Sequence, residues 1–324
     1  SGWILYYFVQ FVTGKSADLG FVPMISNPGV NMTYMLIVVV IGFLVLSFNL
    51  QGGLERVTKY MMVALLILMI VLAVNSATME GAAEGLKFYL LPDLSKIDSK
   101  IILSALGQAF FSLSVGMGCM VTYASYFKND NNLVFTSLNV SLLTILVSLL
   151  AGLVIFPAVF SAGLQPTEGP SLVFVTLPEI FSGMPLATVW STIFFVLVVL
   201  ASLTSTISFH EVITAYLSEE FKIRRKTSAL ITSALSVLLC TVTFFSLFGV
   251  DFFTLFDYLS ANIIMPLGAL FTCILVIWFM KKGFMKSQLT NNGSVNRYIA
   301  PAVVFMLKFV TPLLIFYIFL KNFI

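Results

Sequence analysis

Long apolar runs alternate with short polar segments along the whole chain. A helix that crosses a bilayer needs about 17 to 25 mainly apolar residues, and eight runs reach that length. The predicted spans lie at 34–50, 59–77, 100–126, 133–160, 187–217, 227–248, 252–280 and 299–320. A shorter run at 3–13 predicts a half-helix. The pattern therefore predicts an all-α polytopic membrane protein with eight full transmembrane helices plus a half-helix.

Composition supports a membrane location and argues against several classes of function. Hydrophobic residues make up 59% of the 324 residues and charged residues 10%, which is too few charges to cover a soluble protein of this size. Cys119, Cys240 and Cys273 each lie in an apolar run, and we expect buried, unpaired thiols. No basic stripe with interleaved aromatic residues indicates nucleic acid. The sequence offers no nucleophile–base pair and no metal cluster, so we expect no enzyme.

Basic residues are concentrated in alternate loops. One set of loops contains, among others, Arg56, Lys128, Arg225 and Lys282, whereas nothing basic lies between 161 and 186. By the positive-inside rule the first set is cytoplasmic. The half-helix then runs outward, and the carboxyl terminus faces outward. We expect a multi-pass protein of the cell (plasma) membrane, in bacteria the inner membrane.

One predicted span has an unusual centre. The stretch QAFFSLSVGMGCMVTYASY (108–126) contains Ser112, Ser114, Gly116 and Gly118 in succession. Glycine costs about 1 kcal/mol relative to alanine inside a helix. One interpretation is close packing of helices through small residues. The other is a broken helix whose freed backbone groups line a cavity or bind a ligand.

A second unusual stretch follows the fourth predicted span. Four prolines surround a short apolar core, LVFVTL, that cannot cross a bilayer. This pattern predicts a re-entrant or capping loop on the extracellular face, at 161–186.

Six stretches spread over the chain form a recognisable set. They are GGLERVTKYMM (52–62), GLKFYLLPDLSK (85–96), YASY (123–126), GPSLVFVTLP (169–178), LASLTSTIS (200–208) and LFDYLSANIIMPLG (255–268). Through them the whole chain, in order, resembles the neurotransmitter:sodium symporter family, especially its bacterial amino-acid transporters. The resemblance implies a partial inverted-repeat transporter fold. It places the half-helix at the outer end of family helix 3 and the spans at helices 4 to 11, so we expect 1–324 to be one transmembrane transporter domain that is amino-terminally incomplete.

The resemblance implies sodium-coupled symport of an amino acid across the lipid bilayer by alternating access. Ala201, Thr204 and Ser205 match a carbonyl and two hydroxyl ligands of the family's second sodium ion, and their spacing puts them on one helix face. From spacing alone, hydroxyl-to-backbone bonding within the helix is the simpler interpretation. Ser112 matches a hydroxyl of the first sodium site, but Thr144 stands where the family has an amide or an acid.

Chloride coupling is a further hypothesis. Ser148 stands where some bacterial members carry a glutamate. Chloride-dependent members have a serine there, together with residues that match Gln108 and Ser112. The ions that the resemblance implies are thus sodium and, under this hypothesis, chloride.

The resemblance also implies a substrate pocket. Its expected residues are Phe111, Ser112, Ser114, Gly116, Met117, Gly118, Thr204, Ser205 and Phe209. Phe111 would be the outer lid, although ordinary packing is the usual role of one phenylalanine among 32. Met117 stands where some members have phenylalanine, which favours a roomy pocket for a hydrophobic or aromatic amino acid.

Gates are implied by three residues. Asp257 matches the family's extracellular gate acid, and Glu219 matches the cytoplasmic gate acid, with Tyr126 close to it. The arginine partners would lie on family helix 1. An open alternative for Glu219 is a solvated loop acid beside Arg224 and Arg225. His210 and its neighbouring acid also allow the hypothesis of a proton relay, for which a lone histidine is weak support.

The alternative function is a truncated, non-transporting remnant of such a transporter. It rests on the expected absence of family helices 1, 2 and most of 3, on Thr144, and on Val63, where the family often has a proline. The sequence upstream of Ser1 discriminates between the two hypotheses.

Overall fold

A computed structural model describes the chain over residues 1–15, 20–47, 54–127, 131–164, 172–182, 186–244, 252–281 and 283–321. Within these ranges the regular structure is helical, without a strand. The α-helices in chain order are α1 (Gly2–Val12), α2 (Phe21–Ile25), α3 (Pro28–Ser47), α4 (Leu54–Ala77), α5 (Ala82–Leu90), α6 (Ser99–Ser112), α7 (Cys119–Ser125), α8 (Leu133–Ser161), α9 (Leu177–Ser182), α10 (Ala187–Glu220), α11 (Arg225–Phe244), α12 (Phe252–Leu259), α13 (Met265–Ile274), α14 (Phe284–Leu289), α15 (Ala300–Phe305) and α16 (Thr311–Lys321).

Short helical turns of other types join some of these helices. Leu94–Lys96 is a 3₁₀ turn, and Leu172–Thr176, Ser260–Ile264, Leu275–Phe279 and Met306–Val310 are π-helical. Because the π-helical turns continue the neighbouring α-helices, two long helices result at the end of the chain, Phe252–Phe279 and Ala300–Leu320.

Six helices of the described ranges are long and apolar enough to cross a membrane. They are Pro28–Ser47, Arg56–Ala77, Leu133–Ser161, Ala187–Glu220, Phe252–Phe279 and Ala300–Leu320. The predicted span at 227–248 corresponds to α11, and the one at 100–126 is divided into α6 and α7. The all-α membrane architecture predicted from the sequence is therefore confirmed.

The chain forms two compact units. The first comprises Ser1–Asp93 and Val147–Phe245, and the second comprises Leu94–Leu146 and Ser246–Ile324. The core of the first unit is aromatic: Tyr7 and Phe11 of α1 stack on Phe195 of α10, with ring centroids 5.4 Å and 5.2 Å apart. The close packing of these large rings holds α1 against α10.

Part of the predicted capping loop packs into this same core. Phe174 lies in the π-helical turn that precedes α9, and Leu177, Ile180 and Phe181 lie on α9 itself; all four side chains are buried. The described part of the loop, 172–182, is thus a short helical segment. Residues 165–171 and 183–185 lie outside the described residues, and the extracellular position stays a prediction.

Helix α5 packs on α8 within the first unit. The ring of Tyr89 occupies the space beside Gly152, where a Cβ would collide with it, and its hydroxyl donates to the Ser148 carbonyl at 3.3 Å. Burial raises the pKa of the Tyr89 phenol, so the hydroxyl keeps the proton that it donates. This contact fixes α5 against α8 at Ser148 and at Gly152, one turn later.

Candidate substrate and ion site

The broken helix predicted at 108–126 is present. Helix α6 ends at Ser112 and α7 begins at Cys119. Three residues between them have positive φ angles: Ser114 at 52°, Gly116 at 83° and Gly118 at 81°. Alternating left-handed residues end an α-helical ladder, because each one reverses the local course of the backbone. A left-handed serine is uncommon, and such backbone strain is frequent at functional sites.

The backbone hydrogen bonds show where the helical ladder stops. The N–H groups of Leu113 and Ser114 still fold back onto α6, donating at 3.0 Å to the carbonyls of Ala109 and Phe111. The next N–H, that of Val115, reaches back to Phe110 at 3.0 Å, a wider turn than an α-helix makes. The Gly118 carbonyl begins the next ladder by accepting from the Thr122 N–H at 2.9 Å, whereas the N–H groups of Gly116 and Gly118 make no backbone hydrogen bond in the described structure. These two N–H groups can bind a ligand.

The unwound segment is held against α13 within the second unit. A Cβ on Gly268 would lie 2.7 Å from the Gly116 carbonyl oxygen, and a Cβ on Gly116 would collide with the carbonyl of Met265. The two backbones therefore touch. The position of the unwound segment thus depends on glycine at 268 as well as at 116.

The three residues matched to the second sodium site lie together on α10, in the first unit. The Thr204 hydroxyl donates to the Ala201 carbonyl at 2.8 Å, and the Ser205 hydroxyl donates to the same oxygen at 3.2 Å. This geometry is compatible with both interpretations from the sequence, hydroxyl-to-backbone bonding and sodium coordination. The hydroxyls bond to the backbone, and in doing so they gather three oxygens at one point of the helix; each hydroxyl oxygen retains lone pairs for a cation.

The residues matched to a chloride site are divided between the units. The Gln108 amide donates to the Ser112 hydroxyl at 3.4 Å on α6 of the second unit. Ser148 lies on the part of α8 that belongs to the first unit, with its side chain exposed. Thr144 bonds to its own helix, donating to the Val140 carbonyl at 2.9 Å. The pairing of Gln108 with Ser112 is thus local, and a joint site with Ser148 stays a prediction.

The remaining residues of the predicted pocket and gates occupy both units. Phe209 of α10 belongs to the first unit, and Phe111 and Met117 of the broken helix belong to the second. Asp257 is exposed on α12, Glu219 is exposed near the end of α10, and Tyr126 follows α7. The structure brings together Thr204 and Ser205 with Ala201 on α10, and Gln108 with Ser112 on α6. The pocket and the gates that would combine the other predicted residues stay predictions.

A buried ion pair between α10 and α11 does not follow from the sequence patterns above. The Arg225 guanidinium donates to both Glu211 carboxylate oxygens, at 3.1 Å and 2.7 Å. Its third nitrogen donates to the Leu46 carbonyl of α3 at 3.2 Å. The Glu211 side chain is only 1% exposed, so this bidentate contact satisfies a charge that would otherwise be costly inside a membrane. The pair connects α10 to α11 and α3.

His210 makes a separate contact. One ring nitrogen, Nε2, lies 2.9 Å from the Ser236 hydroxyl of α11, and the other ring nitrogen lies beside Gly42 of α3. Since His210 and Glu211 have different partners, the geometry does not support the proton relay considered from the sequence. Arg225 pairs with Glu211, and Glu219 is exposed; the gate and the solvated loop acid both stay predictions for Glu219. An acid in the middle of an apolar helix is the signal in the sequence that could have revealed this site.

Comparison with known proteins decides the family. The model of the Sodium:neurotransmitter symporter family matches residues 5–324. The chain belongs to this family.

Two bacterial relatives cover almost the whole chain. YhdH of Bacillus subtilis (strain 168), an uncharacterized sodium-dependent transporter, is 36% identical over 335 residues, which cover 99% of this chain and 74% of that protein. An uncharacterized sodium-dependent transporter of Haemophilus influenzae (strain ATCC 51907 / DSM 11121 / KW20 / Rd) is 33% identical over 343 residues, with coverage of 99% and 74%. Within the Sodium:neurotransmitter symporter family, sodium-dependent transporters are thus similar to this chain over nearly its full length.

A solved structure confirms the fold. The crystal structure of MhsT in complex with L-phenylalanine has a TM-score of 0.86 to this chain at 32% identity, covering 99% of this chain and 76% of that one. The transporter fold expected from the resemblance is therefore confirmed. The chain is a multi-pass membrane protein of a family of sodium-coupled transporters rather than enzymes, and its bacterial relatives indicate the inner membrane.

Proposed function

We propose that this protein carries out sodium-coupled symport of an amino acid with a hydrophobic or aromatic side chain, by alternating access. The observation that carries the proposal is the interrupted helix, whose backbone leaves the α-helical ladder between Ser112 and Cys119. In a membrane such backbone is tolerated where it is buried in protein or lines a cavity, and transporters of this type use it to bind substrate and ions. The similarity to MhsT, whose structure contains L-phenylalanine, supports the choice of substrate class.

An amino acid presents two charged ends and one side chain, and each needs a different surface. The N–H groups of Gly116 and Gly118 make no backbone hydrogen bond in the described structure. They would bind the carboxylate of the substrate, because such free N–H groups replace lost water. Phe111 and Phe209 are 53% and 43% exposed, so both rings have surface free for an apolar substrate side chain. Met117 would adapt its flexible side chain to substrates of different size.

Sodium would bind at the oxygens of α10. The Ala201 carbonyl and the hydroxyls of Thr204 and Ser205 are hard oxygen ligands, the type that alkali and alkaline-earth cations prefer. These oxygens match the family's second sodium site, and Ser112 would contribute a hydroxyl to the first. For chloride, Gln108, Ser112 and Ser148 would supply an amide and two hydroxyls as donors.

Coupling requires that ion and substrate binding favour the same conformational state. Asp257 would close the extracellular side, and Glu219 with Tyr126 the cytoplasmic side, by forming ion pairs and hydrogen bonds in the closed state. Charged residues at the ends of membrane helices suit this role because their pairing changes with access to water.

The test is uptake by the full-length transporter reconstituted in liposomes. Under an inward sodium gradient we expect accumulation of radiolabelled L-phenylalanine and L-leucine, and little accumulation of L-glutamate or L-lysine. Replacing external sodium by choline should abolish the uptake. Equal uptake in choline would refute sodium coupling, and preferential uptake of the charged amino acids would refute the substrate class alone.

A further inference from the structure

A lysine lies inside one of the spanning helices of the second unit. Lys308 belongs to the π-helical turn Met306–Val310, within the helix Ala300–Leu320. Its ammonium nitrogen lies 5.1 Å from the ring centroid of Trp278 and 5.3 Å from that of Phe309. Within the described part of the chain, no carboxylate lies at ion-pair distance from it. A charge held only by aromatic rings in a membrane helix calls for a counter-charge.

The neighbouring helix indicates the depth of this ammonium group. Trp278 is the last residue but one of the helix Phe252–Phe279. The Cys273 thiol of the same helix donates to the Leu307 carbonyl at 3.1 Å, which fixes the two helices side by side at Lys308. The ammonium therefore lies level with the end of a membrane helix. Tryptophan prefers this interfacial level, and lysine reaches it by extending its chain from a deeper Cα.

The charges around this end are of one sign. Lys281 and Lys286 follow the helix that contains Trp278, and Arg297 precedes the helix that contains Lys308. By the positive-inside rule this end faces the cytoplasm. The cytoplasmic leaflet is the one that anionic lipids make negative.

The surface beside the ammonium is apolar. Trp278 is 59% exposed, and Phe305, Met306 and Phe309 are exposed along the same helix as Lys308. Among the described residues the Trp278 indole N–H has no acceptor. A cation and an N–H donor thus lie next to side chains that acyl chains can cover. A soluble anion would leave these apolar side chains uncovered, whereas a phospholipid supplies both a phosphate and acyl chains.

We propose that Lys308 and Trp278 form a binding site for an anionic phospholipid of the cytoplasmic leaflet. The phosphate accepts from the Lys308 ammonium and from the Trp278 indole N–H, and the acyl chains lie over Phe305 and Phe309. The site is independent of the proposed transport function, since its residues were assigned to neither the substrate nor the ions.

Quenching of tryptophan fluorescence by brominated lipids tests the site. The protein has three tryptophans, so the Trp278 signal is the difference between the unaltered protein and its Trp278→Phe variant. In phosphatidylcholine bilayers, brominated phosphatidylglycerol should associate with Trp278 about fivefold more strongly than brominated phosphatidylcholine, the preference expected of one basic residue at an anionic surface. Equal quenching by the two lipids would overturn the proposal.

Variants distinguish a specific lipid site from diffuse attraction of anionic lipid to the basic surface. Lys308→Met should reduce the preference to about one, Lys308→Arg should retain it, and the matched control Lys286→Met should leave it almost unchanged. Loss of preference in Lys286→Met equal to that in Lys308→Met would show diffuse surface charge and overturn the site. Inorganic phosphate should not displace the lipid; displacement would overturn the lipid as occupant. Thermal unfolding verifies folding of each variant, and Lys308→Gln replaces Lys308→Met if the latter is not folded.

Discussion

Gly116 and Gly268 meet backbone to backbone in the second unit. A Cβ on Gly268 would lie 2.7 Å from the Gly116 carbonyl oxygen, and Gly116 itself has a φ of +83°. Glycine at both positions is what allows the unwound segment of the broken helix to lie directly on α13. In the proposed transporter this contact determines where the peptide groups that would bind the substrate are placed.

Gly268→Ala should therefore weaken both the fold and substrate binding. The added methyl forces the Gly116 carbonyl away, and overpacking of this kind costs typically about 1–3 kcal/mol. We expect a lower thermal unfolding midpoint and a raised substrate concentration for half-maximal uptake in proteoliposomes.

Gly107→Ala is the matched control, since a Cβ at this position of α6 has no neighbour within 4 Å. Alanine in a helix interior stabilises by roughly 0.5–1 kcal/mol over glycine, so this variant should be neutral or slightly more stable. If the two variants behave alike, the backbone contact has no role in placing the segment.

Thr204→Ala should reduce the apparent affinity for sodium. The variant removes one of the three oxygens that converge at Ala201, and a lost ligand to a charged group corresponds to about 1.5–3 kcal/mol, or roughly a tenfold to hundredfold change. The measurement is uptake as a function of sodium concentration at fixed ionic strength, with choline as the replacement.

Thr204→Ser keeps the hydroxyl and should retain the sodium dependence of the unaltered protein. Ser208→Ala removes a hydroxyl that bonds to the Thr204 carbonyl on the same helix at 2.9 Å, and it should have little effect on sodium affinity. A sodium dependence that is identical in Thr204→Ala and Thr204→Ser would remove Thr204 from the ion site.

Local rules of helix formation determine which elements the sequence can predict. Two glycines that flank one residue, Gly116 and Gly118, disfavour a helix wherever they occur, so the interruption at 113–118 is predictable. The start of α3 is not predictable in this way. The predicted span begins at 34, but the helix begins at Pro28. Its first turns contain Asn31, which is buried and accepts from the Trp3 indole N–H at 2.7 Å. A polar residue with a distant partner looks like a loop residue in a hydropathy pattern.

Contacts between residues on different helices cannot be predicted from the sequence either, because a distant partner leaves no signal in the local pattern. Arg225 follows a turn of charged residues, and its place in the sequence suggests a loop residue near Glu219, whereas it bonds to the buried Glu211. Nothing in the spacing of the two residues specifies that they face each other across α10 and α11. The contact of Gly268 with Gly116 likewise joins positions far apart in the chain, and a glycine inside a span is equally typical of close packing against any neighbouring helix.

Replacing chloride by gluconate should reduce uptake if the chloride hypothesis holds. Gln108 already donates to Ser112 at 3.4 Å, and an anion would gain donors from this pair and from Ser148. Ser148→Ala should raise the chloride concentration needed for half-maximal uptake, by about fivefold for the loss of one hydrogen bond of roughly 1 kcal/mol. Ser141→Ala, on the same helix α8, is the control. Uptake that is unchanged in gluconate would end the hypothesis.

Glu211→Ala should destabilise the first unit strongly, because it leaves Arg225 without its carboxylate partner. Breaking a buried ion pair costs about 3–5 kcal/mol, and we expect a value near the lower limit since the Arg225 side chain is 24% exposed. The measurement is thermal unfolding in detergent, with Glu220→Ala, an exposed acid at the end of α10, as the control. In Glu211→Ala combined with Arg225→Met, the two losses should be less than additive, because the second change removes the uncompensated charge. If the losses of stability of the two single variants were strictly additive, Glu211 and Arg225 would not interact, and the pair would not connect α10 to α11 and α3.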